Sequence, residues 1–441
     1  MTREGGIEAP TRYPVPWKEP EFWDTEALHK ELERVYDICH GCRRCVSLCQ
    51  AFPTLFDLVD ESETLEVDGV ARDDYFKVVD QCYLCDLCYQ TKCPYVPPHE
   101  WEVDFPHLML RAKAHQFRAS GASASRKVLS APDKLGRWSS KPGIVKLVNK
   151  VNRSTGGRKL LKSTLRIHPD AHVPPVADPP LAKRVGTEDE PASEAREAGR
   201  TRGKVAVFGT CFGHYNRPEM VEDMLSVFRH NGIHTRLAPS TGCCGMPKME
   251  LGDLAAVERL KNEQLPGLLE LVDGGYDIIT PIPSCTLMFK QEWPLLFPED
   301  ADVARLRAHT FDPFEYLAAR HKEGLLSTTF KNPLGVVSYH VPCHQRVQNI
   351  GPKTRDILAL VPDTEIKTVE RCSGHDGSYG VRVETFENAA RIGRPVVRQL
   401  NRHEAQHVSS DCPLAGDHLA HLNGSGEARH PISLLRYAYG I

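Results

Sequence analysis

The chain lacks a long apolar run: no stretch of its 441 residues approaches the roughly 18 apolar residues of a membrane span. Its first residues, MTREGGIEAP, are polar and charged, without the apolar centre of a secretion signal. No G-x-G-x-x-G follows a strand and no P-loop Gly-Lys-Ser/Thr occurs, so neither common nucleotide-binding loop is signalled. Aromatic residues are scarce at 7%, and net charge is only −3. These absences point away from a membrane-spanning or exported protein. With 41% hydrophobic and 26% charged residues, the composition is that of a globular chain with two or three domains, and the expected location is cytoplasmic.

Cysteine, by contrast, is plentiful, with fifteen residues. In a reducing compartment thiols are spent on metal rather than on disulfides. Eight of them fall into two quartets, CHGCRRCVSLC (Cys39, Cys42, Cys45, Cys49) and CYLCDLCYQTKCP (Cys82, Cys85, Cys88, Cys93). The spacing resembles the bacterial ferredoxin run, in which three thiolates at x2 spacing wrap one cluster and the fourth reaches across to the other. The expected pairing is Cys39, Cys42, Cys45 and Cys93 on one [4Fe–4S] cluster, and Cys82, Cys85, Cys88 and Cys49 on a second. Two departures stand out: the gap from Cys88 to Cys93 is one residue longer than the bacterial spacing, and Cys49 is followed by Gln50 rather than proline. Zinc prefers separated C-x2-C pairs around a tetrahedron, which a triple repeated twice fits poorly.

Around the quartets, residues 21–38 and 99–118 read as helices and 56–80 as mixed, forming a small, mostly helical module over 30–110. A basic stretch follows. From Arg126 to Arg166 there are twelve Lys/Arg against one acid, Asp133, so the near-neutral total hides a strongly positive segment. Within it Ile144, Val145, Leu147, Val148 and Val151 recur at helical spacing, and Leu160, Leu161, Leu165 and Ile167 form a second apolar patch. Such a basic amphipathic segment suits peripheral contact with the inner face of a membrane. The alternative is packing on an acidic partner or on the chain's own acidic surface. Aromatic platforms for nucleic acid are missing, so no nucleic-acid partner is expected. Residues 169–203, rich in Pro, Ala, Glu and Arg, read as a flexible linker, which makes 111–203 a basic segment plus linker.

From residue 204 the pattern becomes strand, loop, helix, and it repeats. KVAVF leads to Cys211, IHTRLA to Cys243 and Cys244, and DIITP to Cys285. GVVSYH leads to Cys343, EIKTV to Cys372, and QHVSS to Cys412. The spacings agree: 32 and 29 residues separate the first two cysteine positions, then 41 and 40 to the last. Alternating β and α predicts parallel sheets with the cysteines just beyond the carboxyl ends of strands, in units 204–328 and 329–441.

The motifs TCFGHYNRP (210–218), GCCGMP (242–247), PSCTLMFKQEWP (283–294), SYHVPCH (338–344), CSGHDGSYG (372–380), SDCP (410–413) and RHPISLL (429–435) resemble those of the cysteine-rich-domain (CCG) iron–sulfur oxidoreductases. That family includes heterodisulfide reductase and subunits serving glycerol-3-phosphate, lactate and glycolate dehydrogenases. The resemblance implies a fold class of α/β: an N-terminal, mostly helical ferredoxin-like domain with two clusters, then duplicated Rossmann-like cysteine-rich βαβ units. It also implies electron transfer between a flavin-containing dehydrogenase subunit and a quinone or other acceptor.

In its fullest form each unit of the family supplies five cysteines. Here the first has Cys211, Cys243, Cys244 and Cys285, with Met288 in the last place, which is enough for a third iron–sulfur cluster. The second has only Cys343, Cys372 and Cys412, with Ser373 and Ala415 in the other two places. His344, His375 and His418 lie nearby as candidate ligands for zinc or iron. Two rival readings are a heterodisulfide-reductase-like thiol/disulfide oxidoreductase and a zinc-stabilised docking module in the C-terminal half. The first is weakened because neither unit carries all five cysteines.

Overall fold

Asp24 starts the first long helix, Thr25–Cys42, its side chain accepting a hydrogen bond from the Ala27 N–H. Leu28, Leu32, Val35 and Tyr36 recur along its buried face. Pro20 opens a separate 3-10 turn over Pro20–Trp23, so the helix begins later than the periodicity suggests. Arg43 ends it in the left-handed conformation at φ 49. Helices Ala51–Asp60, Tyr75–Gln81 and Phe105–Ser120 complete the N-terminal module. The computed structural model describes residues 10–186, 195–239, 242–425 and 428–441.

The C-terminal half is mixed α/β with two parallel sheets. Strands β1 (Lys204–Val207), β2 (His234–Leu237), β3 (Asp277–Ile279) and β4 (Thr310–Phe311) form the first, in the order β2-β1-β3-β4. Strands β5 (Gly335–His340), β6 (Thr364–Val369) and β7 (His407–Ser410) form the second, in the order β6-β5-β7. Every pairing within these sheets is parallel. The connecting helices, Pro218–His230, Leu254–Asp273 and Phe386–Asn401 among them, bury apolar faces against the sheets. Beyond the expected elements, the short β4 extends the first sheet.

The N-terminal module, the first sheet and part of the second, through Val337 and Tyr339 of β5, share one continuous hydrophobic core, and a smaller cluster of Val369, Val396, Val397, Leu400 and Leu419 also lies against the second sheet. The last helix, Pro431–Tyr439, returns to the first unit. There Arg436 Nη1 stands 2.5 Å from Asp223 Oδ1, and the Tyr439 hydroxyl donates to the Ser327 carbonyl at 2.8 Å. The N-terminal module is pinned to the first unit by Arg12. Its guanidinium, only 7% exposed, bonds Asp86 at 2.5 and 3.0 Å and Asp104 at 3.0 and 3.2 Å, and stands 3.8 Å from Glu292.

The basic segment forms four short helices, Ala124–Leu129, Pro132–Ser139, Ile144–Arg153 and Thr155–Leu165. One side packs on the first unit, where Lys248 Nζ donates to Ser130 Oγ at 3.0 Å. The other side leaves Val128, Leu135, Trp138, Leu147 and Leu160 exposed. Residues 169–186, expected to belong to a flexible linker, instead run as an ordered strap. Ala171, Val176 and Leu181 are buried, and the Asn149 side chain brackets the Val176 peptide with two 2.8 Å bonds. Arg158 donates to the carbonyls of Pro169 and His168 at 2.9 Å each. Anchors spaced about five apart follow neither the helical nor the strand period, which is why composition alone reads as a linker. Residues 187–194 of that stretch lie outside the described residues.

Candidate metal centre

The helix Thr25–Cys42 carries Cys39 and Cys42 on its last turn, and the loop after it holds Cys45 and Cys49. Cys82 ends the helix Tyr75–Gln81, and Cys88 opens a π-helical turn over Cys88–Lys92 that is closed by Cys93. This wider turn absorbs the extra residue between Cys88 and Cys93. Two small cavities result. One is lined by Cys39, Cys42, Cys45 and Cys93, the other by Cys49, Cys82, Cys85 and Cys88, and Phe52 walls both. The fourth cysteine of each quartet therefore lines the cavity of the other three. Burial pushes the Cys82 thiol up to about 12 and Cys93 to about 11, and raises Cys39, Cys49 and Cys88 well above the ordinary thiol value. Thiols this reluctant to ionise become thiolates only when a cation takes the charge, which suits a donor set built for metal.

In the first cysteine-rich unit, β1 delivers Cys211 to the start of a short helix, and β3 is followed by Cys285 in the helix Pro283–Leu287. Thr210, forced to φ 59, caps the Cys211 helix through its hydroxyl, which accepts from Gly213 N–H at 3.1 Å. After β2 comes the pair Cys243–Cys244. The four thiols are linked by hydrogen bonds from Cys211 to Cys243, Cys243 to Cys244 and Cys244 to Cys285. Gly245, at φ 101, turns the chain so that its N–H points back to Cys243 Sγ at 3.4 Å. Met288, fully buried, stands where a fifth cysteine would, and its methyl lies beside Gly245.

The second unit repeats part of this. Gly374, at φ 77, donates its N–H to Cys372 Sγ at 3.3 Å, as Gly245 does to Cys243. Cys372 is hydrogen-bonded to Cys343, and Cys343 in turn to Cys85 of the second quartet. The Tyr83 hydroxyl stands 2.8 Å from Cys372 Sγ. The Cys343 bond, helped by Tyr83, draws Cys372 down to about 7. Cys412 takes no part in this pair; burial, then Asp417 and Asp411, governs its thiol, which is pushed up to about 12. The rings of His375 and His418 lie 5.5 Å apart, and burial lowers them to about 3 and about 4. Their Nε2 atoms, and that of His344, are buried without a hydrogen-bond partner. Among the described residues no three His, Cys, Asp or Glu side chains are placed to hold a single ion, in this unit or elsewhere.

All three parts meet at one cavity of about 230 Å³, lined by Cys82 and Cys85, by Cys211, Cys243, Cys244 and Cys285, and by Cys343 and Cys412. Charged groups face it too. Glu250 and Asp376 share a hydrogen bond, and burial raises both carboxyls, while burial lowers Lys113. These three residues, Arg12 and Tyr83 escape sequence reading because each matters only through a partner far away in the chain. The sequence also contains an H-E-x-x-H string, His403–His407, the pattern of helical zinc proteases. It straddles a turn and the start of β7, with Glu404 at φ 47, and His403 Nδ1 is bonded to Ser338 Oγ at 2.7 Å, so it does not form such a site.

A unit with a cysteine-bearing glycine loop at the carboxyl end of a parallel sheet occurs twice, with a cysteine pair in the first copy and Cys372–Ser373 in the second. Residues 205–290 and 337–416 each match the CCG cysteine-rich domain family. Across 339 residues it is 26% identical to a subunit of the anaerobic glycerol-3-phosphate dehydrogenase of Escherichia coli K12, covering 76% of this chain and 82% of that protein. It is 27% identical over 222 residues to a subunit of the fumarate reductase (CoM/CoB) of Methanothermobacter marburgensis, covering 49% of this chain and 41% of that protein. Both relatives are thus parts of larger oxidoreductases. No helix among the described residues is long and apolar enough to cross a membrane.

Proposed function

We propose that the chain is the iron–sulfur electron-transfer subunit of an oxidoreductase, relaying electrons between a flavin-dependent dehydrogenase subunit and a quinone or other carrier. The observation that carries this reading is the continuity of thiol sites. Two four-cysteine cavities share Phe52, and Cys82 and Cys85 of the second also line the cavity that holds the four thiols of the first unit. On this reading Cys39, Cys42, Cys45 and Cys93 hold one [4Fe–4S] cluster, and Cys82, Cys85, Cys88 and Cys49 hold another. Cys211, Cys243, Cys244 and Cys285 hold a third iron–sulfur cluster. Bound clusters supply one-electron redox chemistry; the protein sets their spacing, burial and hydrogen bonding.

The names of the relatives support a partner subunit, and the exposed apolar residues on the basic helices support peripheral attachment to anionic lipid on the cytoplasmic face. A heterodisulfide-reductase-like reading is favoured by the shared cavity between the two units, but Met288, Ser373 and Ala415 leave both five-cysteine sites incomplete. The test is Cys244→Ala in the full chain. About four irons should be lost while the N-terminal cluster signals persist, and electron flow from reduced dye to a soluble quinone should fall at least tenfold. Unchanged iron and unchanged flow would refute the role of the first unit.

A further inference from the structure

The second cysteine-rich unit retains three thiols that the relay leaves unused, and the sheet places two of them together. His340 and Val369 are register partners on the adjacent parallel strands β5 and β6, and the Val341 N–H extends that register by donating to the Val369 carbonyl at 3.0 Å. Cys343 and Cys372 each lie three residues beyond their own register partner. Neighbouring strands run about 4.8 Å apart, inside the roughly 4.4–6.8 Å Cα separation of disulfides. Cys343 packs against the small apolar cluster that contains Cys372, and both thiols are free. In the first unit the overhangs from the partners Val207 and Leu237 differ, four residues to Cys211 and six to Cys243, so this match belongs to the second unit alone.

The surroundings of the pair are apolar and reach the second quartet. Cys372 belongs to a small apolar cluster with Tyr83, Tyr379 and Ala389, separate from the main core, and Cys85, Cys49 and Cys343 pack against it. Tyr83 sits between Cys82 and Cys85 in the chain and reaches Cys372 with its hydroxyl. The Tyr379 hydroxyl donates to Gln81 at 2.6 Å, fastening this part of the second unit to the second quartet. Ser373, in the place of the paired cysteine, is turned to the local backbone, its hydroxyl accepting from His375 N–H at 3.3 Å.

We propose that Cys343 and Cys372 form a redox-active dithiol/disulfide pair that exchanges electrons with the iron–sulfur cluster held by the second quartet. This rests on the reading of that quartet given above. Oxidation breaks two S–H bonds and forms one S–S bond. Two electrons leave one at a time, with the clusters of the two quartets as acceptors, and two protons leave through the cavity that Cys343 lines. Reduction by the reduced clusters reverses each step. The pair gives a chain of one-electron carriers a two-electron store, matching the two-electron chemistry of flavins and quinones.

The experiment uses the anaerobically purified full chain, poised oxidised or reduced with dye mediators, quenched in acid, alkylated and mapped by peptide mass spectrometry. The expected result is a Cys343–Cys372 disulfide in the oxidised sample, both thiols alkylated in the reduced one, and Cys412 alkylated in both. Cys343→Ser and Cys372→Ser should abolish the disulfide without changing iron or zinc content. Loss of metal in either variant, or a disulfide from Cys343 to Cys85 or Cys412, overturns the proposal. So do two thiols alkylated in every state while the second-quartet EPR signal is present, an outcome that leaves the relay standing. If that signal is absent the relay reading falls first, and the proposed electron exchange falls with it.

Discussion

Replacing Arg12 by alanine should be among the most damaging single changes outside the cysteines. Its guanidinium faces Asp86, Asp104 and Glu292, with a cation–π contact to the Tyr89 ring at 4.7 Å. Burial alone pushes Asp104 up, yet Arg12, together with His107, more than reverses this and leaves it below the usual carboxylate range. Removing one partner of a buried ion pair costs about 3–5 kcal/mol, because the remaining charge is left without compensation. With a urea dependence of about 3 kcal/mol per molar, the unfolding midpoint should fall by about 1–2 M. Asp86 lies between Cys85 and Cys88, so iron should be lost from the second quartet before the first. The sign with pH is fixed. Without the cation the buried carboxyls have folded-state pKa values above the unfolded ones, so the variant is most stable in acid and loses stability as pH rises through those raised values. Its deficit should therefore narrow below about pH 5, near the ordinary carboxyl range. Urea titrations at two pH values, with iron analysis, provide the assay. A loss under about 1 kcal/mol with iron retained would refute the reasoning, against the cost expected for a buried pair.

Cys93→Ala should weaken the EPR signal of the first-quartet cluster, and Cys49→Ala that of the second; the reverse pattern would show that the quartets do not cross. Burial, then Asp312, raises the Asp411 carboxyl to about 7. Stability from this group is fully present below the ordinary value near 4 and is lost as pH rises through about 7. Asp411→Asn should flatten the stability profile between about pH 4 and 7 and stabilise the protein at about pH 8, by at most about 4 kcal/mol at 1.36 kcal/mol per unit. Thermal melts across that range check it. Vesicles containing phosphatidylserine should co-sediment the full chain at low salt, with each basic residue near the surface contributing about 1 kcal/mol. Trp138→Ser with Leu147→Ser should weaken that binding, and binding indifferent to lipid charge and salt would assign the patch to a protein partner.

Local chemistry was the legible part. Cysteine spacing within each quartet is set by a few residues of loop, and the two cavities contain the same four-cysteine sets that the spacing suggests. The strand GVVSYH was equally readable and matches β5 from Gly335 to His340, because its period and flanks are local. What lay beyond reading depends on distant partners. The strap at 169–186 has no period of its own and is held by Asn149 and Arg158. The last helix belongs in space to the first unit through Asp223, and nothing in RHPISLL signals that. In the second unit, three cysteines at repeat-matched positions suggested one shared site. The structure packs Cys343 and, from the other end of the chain, Cys85 against the cluster that holds Cys372, while Cys412 reaches Cys343 only across the shared cavity.

Iron, acid-labile sulfide and zinc in the anaerobically purified full chain, measured together with EPR of the dithionite-reduced protein, test the central claim most directly. Three clusters predict about twelve iron and about twelve sulfide per chain, reduced-state signals from more than one cluster, and no stoichiometric zinc. Stoichiometric zinc with little iron and no reduced-state signal would contradict the account.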